Sequence, residues 1–270
     1  MEGRLEELKK VVLEAGKILK RGFSSKKEIH HKGVVDLVTQ YDIETEKFLK
    51  ERISTIFPRH TIVAEESSDD ISGGGYELEK AIYIDPIDGT TNFIHGIPHF
   101  SISIGIWEMG RGVAAIVYNP ILNELYCALS GKGAYRNGKA ISVSSCNKLQ
   151  NALVATGFPY SKTEMGDSYH WVVDTIGEML PHIQDIRRLG SAALDLCYLA
   201  EGRYDGFYEI ELKPWDVAAG IVILEEAGGE VSNLYGYRYI FGNCGIVASN
   251  GWVHREMLEK IAKNEYNCNT

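Results

Sequence analysis

The run Ile84-Asp85-Pro86-Ile87-Asp88-Gly89-Thr90-Thr91-Asn92-Phe93 decides how the rest of the chain is read. It follows Ala81-Ile82-Tyr83-Ile84, which has the length and composition of a buried strand. Asp85 is therefore expected at a strand's C-terminal end, where functional side chains gather. Pro86 brings no N–H to a ladder and is expected to stop it. Gly89 permits a tight turn or the close approach of a ligand to the backbone. Carboxylate oxygens from Asp85 and Asp88, with carbonyls between them, suit a hard cation such as magnesium. A helix opening near Thr90 would aim its free N–H groups at the same spot, where a phosphate would be held.

Upstream, Thr61-Ile62-Val63-Ala64 reads as a short strand that delivers Glu65 and Glu66 much as Ile84 delivers Asp85. Two neighbouring strands, parallel or antiparallel, would bring three carboxylates together. Residues 32–39 read as a hairpin or loop leading into a helix capped by Thr39, with Asp42 three residues on. Asp42, Thr45, Leu49, Ile53 and Ile56 share one face of that helix, and Pro58 ends it. Leu5, Leu8, Val12, Ala15 and Leu19 mark a first helix from Arg4 to Arg21, with Gly22 expected as its cap. The glycine-rich stretch from Ser67 to Tyr76 is expected to be a surface loop beside the site, a connector or a lid.

Downstream, Phe100, Ile102, Ile104 and Ile106 alternate with small or polar residues, the pattern of a half-buried strand. Turn signals at 110–112, 119–120, 131–133 and Asn137-Gly138 then imply an antiparallel sheet over about 81–143. After Asn147 strands and helices alternate. Gly190-Ser191 opens one helix, and Pro214-Trp215-Asp216 opens another that Gly228-Gly229 ends. Asp216 is expected at that helix's N-terminus, facing a cation, water or phosphate.

The 270 residues, 44% hydrophobic and 24% charged, have an ordinary globular composition. A net charge of −9 argues against a general nucleic-acid surface. No apolar run approaches ~18 residues, and charges from Met1 to Leu8 stand where a signal peptide needs an apolar core. A cytoplasmic protein without membrane partners is expected. The five cysteines are widely spaced with no Cys-x-x-Cys pair, so free thiols are expected. The eight histidines show no zinc-ligand spacing.

Residues 83–93 resemble the first signature of the inositol monophosphatase family, and Trp215-Asp216-Val217-Ala218-Ala219-Gly220 with Gly228-Gly229 resembles the second. Asp36-Leu37-Val38-Thr39, Ala64-Glu65-Glu66-Ser67 and Gly190-Ser191-Ala192-Ala193 fall in the family's order, so the resemblance covers nearly the whole chain. It implies an α/β fold, a five-layer αβαβα sandwich of the inositol monophosphatase and fructose-1,6-bisphosphatase type. Residues 1–146 would carry most metal ligands and 147–270 the substrate wall with Asp216, as one unit. The implied activity is magnesium-dependent hydrolysis of a phosphate monoester such as myo-inositol 1-phosphate. Glu65, Asp85, the Ile87 carbonyl, Asp88 and Asp216 would hold two or three magnesium ions, with Asp85 bridging. Thr90, held by Asp42, would orient the attacking water, and Glu65 would share in catalysis. Gly89, Thr90, Asp88, Asp216, Glu209 and the turn Gly190-Ser191-Ala192 would bind substrate, and Glu66 would stand behind the ligands.

The resemblance also implies a homodimer and inhibition by lithium. Lys213-Pro214 before Trp215 departs from the better-known animal enzymes and resembles bacterial and archaeal branches. Arg187, Arg188 and Lys213 leave a bisphosphate such as fructose 1,6-bisphosphate as an alternative substrate. A haloacid-dehalogenase-like site fits poorly, because two residues rather than one separate Asp85 from Asp88. The alternative from another class is a metal-binding regulatory protein that contacts a larger assembly.

Overall fold

The computed structural model describes residues 1–33, 36–67, 78–262, 264 and 266. The apolar stripe Leu5, Leu8, Val12, Ala15 and Leu19 is buried along helix α1 (Glu2–Phe23). Gly22 lies inside this helix rather than capping it. A Cβ there would fall 2.7 Å from the Tyr41 ring and 2.8 Å from that of Phe93, so the position is needed for close packing. Strands β1 (Ile29–His31) and β2 (Leu37–Thr39) form the expected hairpin. Thr39 then caps α2 (Gln40–Ile56) in a capping box completed by Asp42. The expected loop over 67–76 falls outside the described residues from 68 onward.

The first sheet has seven strands in sequence order: β3 (Thr61–Ala64), β4 (Lys80–Asp88), β5 (Ser101–Glu108), β6 (Arg111–Asn119), β7 (Glu124–Leu129), β8 (Ala134–Arg136) and β9 (Lys139–Ile141). The β3/β4 pair is parallel and every other pair antiparallel. The turn between β8 and β9 is made by Asn137 and Gly138, both at positive φ, as that dipeptide predicts. Between β4 and β5 lies one short helix, α3 (Thr90–His95).

The second sheet has the order β11-β10-β12-β14-β13. Its strands are β10 (Leu153–Thr156), β11 (Asp185–Arg187), β12 (Gly206–Ile210), β13 (Glu230–Asn233) and β14 (Gly245–Ser249), interleaved with α4 (Asp167–Met179), α5 (Ala192–Ala200), α6 (Pro214–Glu226) and α7 (His254–Ile261). Four apolar clusters are buried among the described residues; a small one joins β3 and β4 to the start of α6, and the other three stack the layers. One joins α1 and α2 to the seven-stranded sheet, one surrounds α5 and α6 between the sheets, and one joins α4 and α7 to the five-stranded sheet. The order is therefore helices, sheet, helices, sheet, helices: the five-layer αβαβα arrangement expected.

Being sandwiched between helices changes the reading of β5. Its alternation suggested one wet face, yet residues 101–106 are buried on both sides. Ser103 and Gly105 are small because α6 lies against them: a Cβ on Gly105 would stand 2.7 Å from Ala218. Gly105→Ala is expected to lower stability by about 1–3 kcal/mol, read from chemical denaturation. Unchanged stability would mean that α6 does not press on this strand.

Cys127, Cys146 and Cys197 are free thiols, but Cys244 is disulfide-bonded, so the free-thiol expectation fails there. Separation along the chain does not measure separation in the fold. Among the described residues, no helix is long and apolar enough to cross a membrane.

Candidate active site

β3 and β4 run parallel with Ala64 opposite Ile84, so Glu65 and Asp85 leave adjacent strands at the same level. Along β4, side chains three residues apart ought to face opposite sides. The pairing with β5 shifts, however: Asp85 opposes Ser103 and Asp88 opposes Ser101, which leaves one extra residue on β4. This bulge turns Asp85 and Asp88 to the same face. The ladder does not stop at Pro86, as the sequence suggested, but resumes at Asp88. A bulge tolerates a residue without an N–H.

Gly89, at φ +96°, then carries the chain into α3. A Cβ at this position would approach the Gly190 carbonyl oxygen at 3.0 Å, so glycine permits the contact between the two turns. Thr90 Oγ1 lies 3.0 Å from Asp42 Oδ1 and 2.9 Å from the Ile87 carbonyl oxygen. The other Asp42 oxygen accepts hydrogen bonds from the Thr39 amide (2.8 Å) and hydroxyl (2.6 Å). The capping carboxylate of α2 thus also anchors the Thr90 hydroxyl, 48 residues away. Both neighbours of that hydroxyl are acceptors, so its proton is committed to one of them and its lone pairs remain for a water.

α5 and α6 supply the opposite wall. Ser191 caps α5, and its hydroxyl donates to Asp88 Oδ2, which also accepts from the Ala193 amide at 2.8 Å. Asp216 sits in the first turn of α6 and accepts from the Lys213 amide at 2.7 Å. Asn92 of α3 donates to the carbonyls of His99 and Leu189, each at 2.7 Å, and so ties the Thr90 turn to the Gly190 turn. Glu209 enters from β12 against Gly157, where any Cβ would overlap its carboxyl.

These residues line one cleft of about 1030 Å³. Glu65, Asp85, Ile87, Asp88, Gly89, Thr90, Gly190, Ser191, Ala192, Glu209 and Asp216 all face it, and Asp42 supports Thr90 from behind. Burial is the main cause that pushes the carboxyls upward, reinforced by their crowding. Asp85 and Asp216 rise well above the usual carboxylate range, Asp88 and Asp42 rise to about 6, and Glu209 to about 8. Lys32 Nζ lies 3.1 Å from Glu65 and 2.8 Å from Glu66. Burial opposes the Lys32 charge, but these two carboxylates hold its ammonium above its usual value. Glu65 and Asp85 hydrogen-bond to each other.

Among the described residues, no three His, Cys, Asp or Glu side chains already stand at ligand geometry around one point. The donor set nevertheless suits a hard divalent cation. It is all oxygen, comes from the turn after β3, from β4 and from α6, and consists of acids that burial and mutual repulsion press toward their neutral forms. A cation among them would favour the charged forms again.

Of the basic residues flagged in the sequence, Arg188 and Lys213 line the cleft. Arg187 does not; it pairs with Asp185 at 2.6 Å. Lys32, Lys162, Asn92 and Asp195 join the site without having been singled out. Asp195 alone left a signal, as the single charged residue in the otherwise apolar helix Ala-Ala-Leu-Asp-Leu-Cys-Tyr-Leu-Ala.

A sequence model of the inositol monophosphatase family matches residues 2–268. The Nus factor SuhB of Salmonella typhimurium is 40% identical over 249 residues, covering 92% of this chain and 91% of that protein. Inositol monophosphatase 2 of Solanum lycopersicum is 39% identical over 272 residues, covering 97% of this chain and 100% of that protein. The crystal structure of the extragenic suppressor protein suhB from Bartonella henselae superposes with a TM-score of 0.88 at 34% identity, covering 97% and 99% of the two chains.

Proposed function

Because the chain belongs to the inositol monophosphatase family, we propose that it hydrolyses the phosphate monoester of a small polyol, with magnesium as cofactor and myo-inositol 1-phosphate as preferred substrate. The observation that supports this most is the meeting of Asp42 and Thr90 beside the carboxyls of Glu65 just past β3, Asp85 and Asp88 on β4, and Asp216 at the start of α6. Glu65, Asp85, Asp88, Asp216 and the Ile87 carbonyl would hold two or three magnesium ions, whose charge would offset that of the phosphoryl oxygens and favour ionisation of a bound water. Asp42 fixes the Thr90 hydroxyl, and Thr90 accepts a hydrogen bond from the attacking water, aligning it with phosphorus. The Gly89 and Thr90 amides receive phosphate oxygens. Glu209 accepts from a substrate hydroxyl, with the turn Gly190-Ser191-Ala192 as the facing wall. No covalent bond to the protein is required.

Residues 1–146 supply the water-orienting side and 147–270 the substrate wall, so the two halves work as one unit. On the same family reading the protein is a cytoplasmic homodimer inhibited by lithium. The Cys244 disulfide sets a condition on that location, since such bonds persist in reducing compartments chiefly in hyperthermophiles.

Two further readings have their own support. Arg188 lines the cleft near Glu209, where it would meet the second phosphate of fructose 1,6-bisphosphate. Relatives such as that of Salmonella are named Nus factors, which favours an additional role in an assembly. Steady-state rates on inositol 1-phosphate and fructose 1,6-bisphosphate, for wild type and Arg188→Ala, separate the substrates. The monophosphate is expected to have the higher kcat/KM. A higher value for the bisphosphate, lowered selectively in Arg188→Ala, would show the inositol assignment to be wrong.

A further inference from the structure

Asp195 is 1% exposed, and its Oδ1 has no hydrogen-bond partner. Among the described residues, nothing donates to its carboxyl. A buried polar group left unpaired is costly, so retaining an acid in this apolar helix implies a partner that arrives. A candidate inside the protein is His99, whose Nε2 is also buried and unpartnered, 4.0 Å from Oδ1. That is too far for a hydrogen bond, though a small side-chain rotation would close it. Burial holds His99 neutral, its pKa lowered to about 4, so the ring can donate one N–H and carry no charge. With Oδ1 turned to His99, the second carboxyl oxygen is left for the cleft, which Asp195 lines beside Glu209. Glu209, Asp88 and Arg188 are the charged groups close enough to act on Asp195.

We infer that Asp195 is a specificity-determining residue: oriented by His99, it accepts a hydrogen bond from a hydroxyl of the polyol leaving group, alongside Glu209. Two acid acceptors on one wall select an alcohol with several hydroxyls and disfavour one that has none to donate, because the wall would then stay unpaired. The inference rests on the polyol phosphatase reading and names a second residue that reads the polyol.

The test compares kcat/KM for myo-inositol 1-phosphate with that for p-nitrophenyl phosphate, whose leaving group has no hydroxyl beyond the one released. Both are measured with magnesium in wild type and Asp195→Ala. The ratio of the two constants is expected to fall by about tenfold in the variant, chiefly through KM for the inositol ester. A fall of less than about fivefold, whether both rates drop together or neither changes, overturns the assignment, since support of the fold or of Asp88 alone would spare the ratio. If Asp195→Ala shows no cooperative thermal transition, Asp195→Leu, similar in size and apolar, takes its place under the same threshold. Wild-type protein that hydrolyses neither ester overturns the phosphatase reading and this inference with it. Turnover of both esters with an unchanged ratio overturns Asp195 alone.

Discussion

Asp85→Asn is expected to remove more than about nine-tenths of turnover at saturating magnesium, with the fold intact. Asp85 is 2% exposed, hydrogen-bonds to Glu65 and accepts from the Ile87 amide at 2.9 Å, so the isosteric amide can keep its place on the bulge. What the amide cannot keep is the negative charge that would join the cation sites. Burial and the neighbouring Glu65, Asp88 and Asp216 already disfavour that charge, so thermal stability should hold or rise in the variant. Excess magnesium should not restore the rate.

Thr90→Ala is expected to lower kcat by about 10²-fold or more and to change KM little, because only the transition state needs the aligned water. The two neighbours of the Thr90 hydroxyl, Asp42 and the Ile87 carbonyl, are both acceptors, and Asp42 retains two hydrogen bonds from Thr39 without it. A rise in KM with kcat preserved would instead assign Thr90 to binding phosphate.

Much of this arrangement is legible in the residues. Thr39-x-x-Asp42 announces a helix start, and two short apolar runs each ending in acids announce Glu65 and Asp85. That Asp42 reaches Thr90 is not legible in spacing, since the hydrogen bond depends on how α2 packs on β4. The bulge at Pro86 is not legible in the sequence: proline signals a missing N–H, as a strand end would, and only the register against β5 shows that pairing resumes. Ser103 and Gly105 looked like a wet face because small residues resemble polar ones in an alternating pattern. Their real constraint is the approach of α6. Arg187 and Arg188 are adjacent in sequence, yet one pairs with Asp185 and the other lines the cleft. Adjacent residues on a strand point to opposite faces, so two neighbouring charges on β11 and just beyond it could not both serve one pocket.

Phosphate release from inositol 1-phosphate, by wild type and Asp85→Asn stripped of divalent ions and then titrated with magnesium, tests the central claim most directly. The account predicts no release by either protein before titration, then a saturating rise in the wild type and less than about a tenth of that rise in Asp85→Asn. Release by the stripped wild type at the magnesium-saturated rate, or an equal rise in Asp85→Asn, would contradict it.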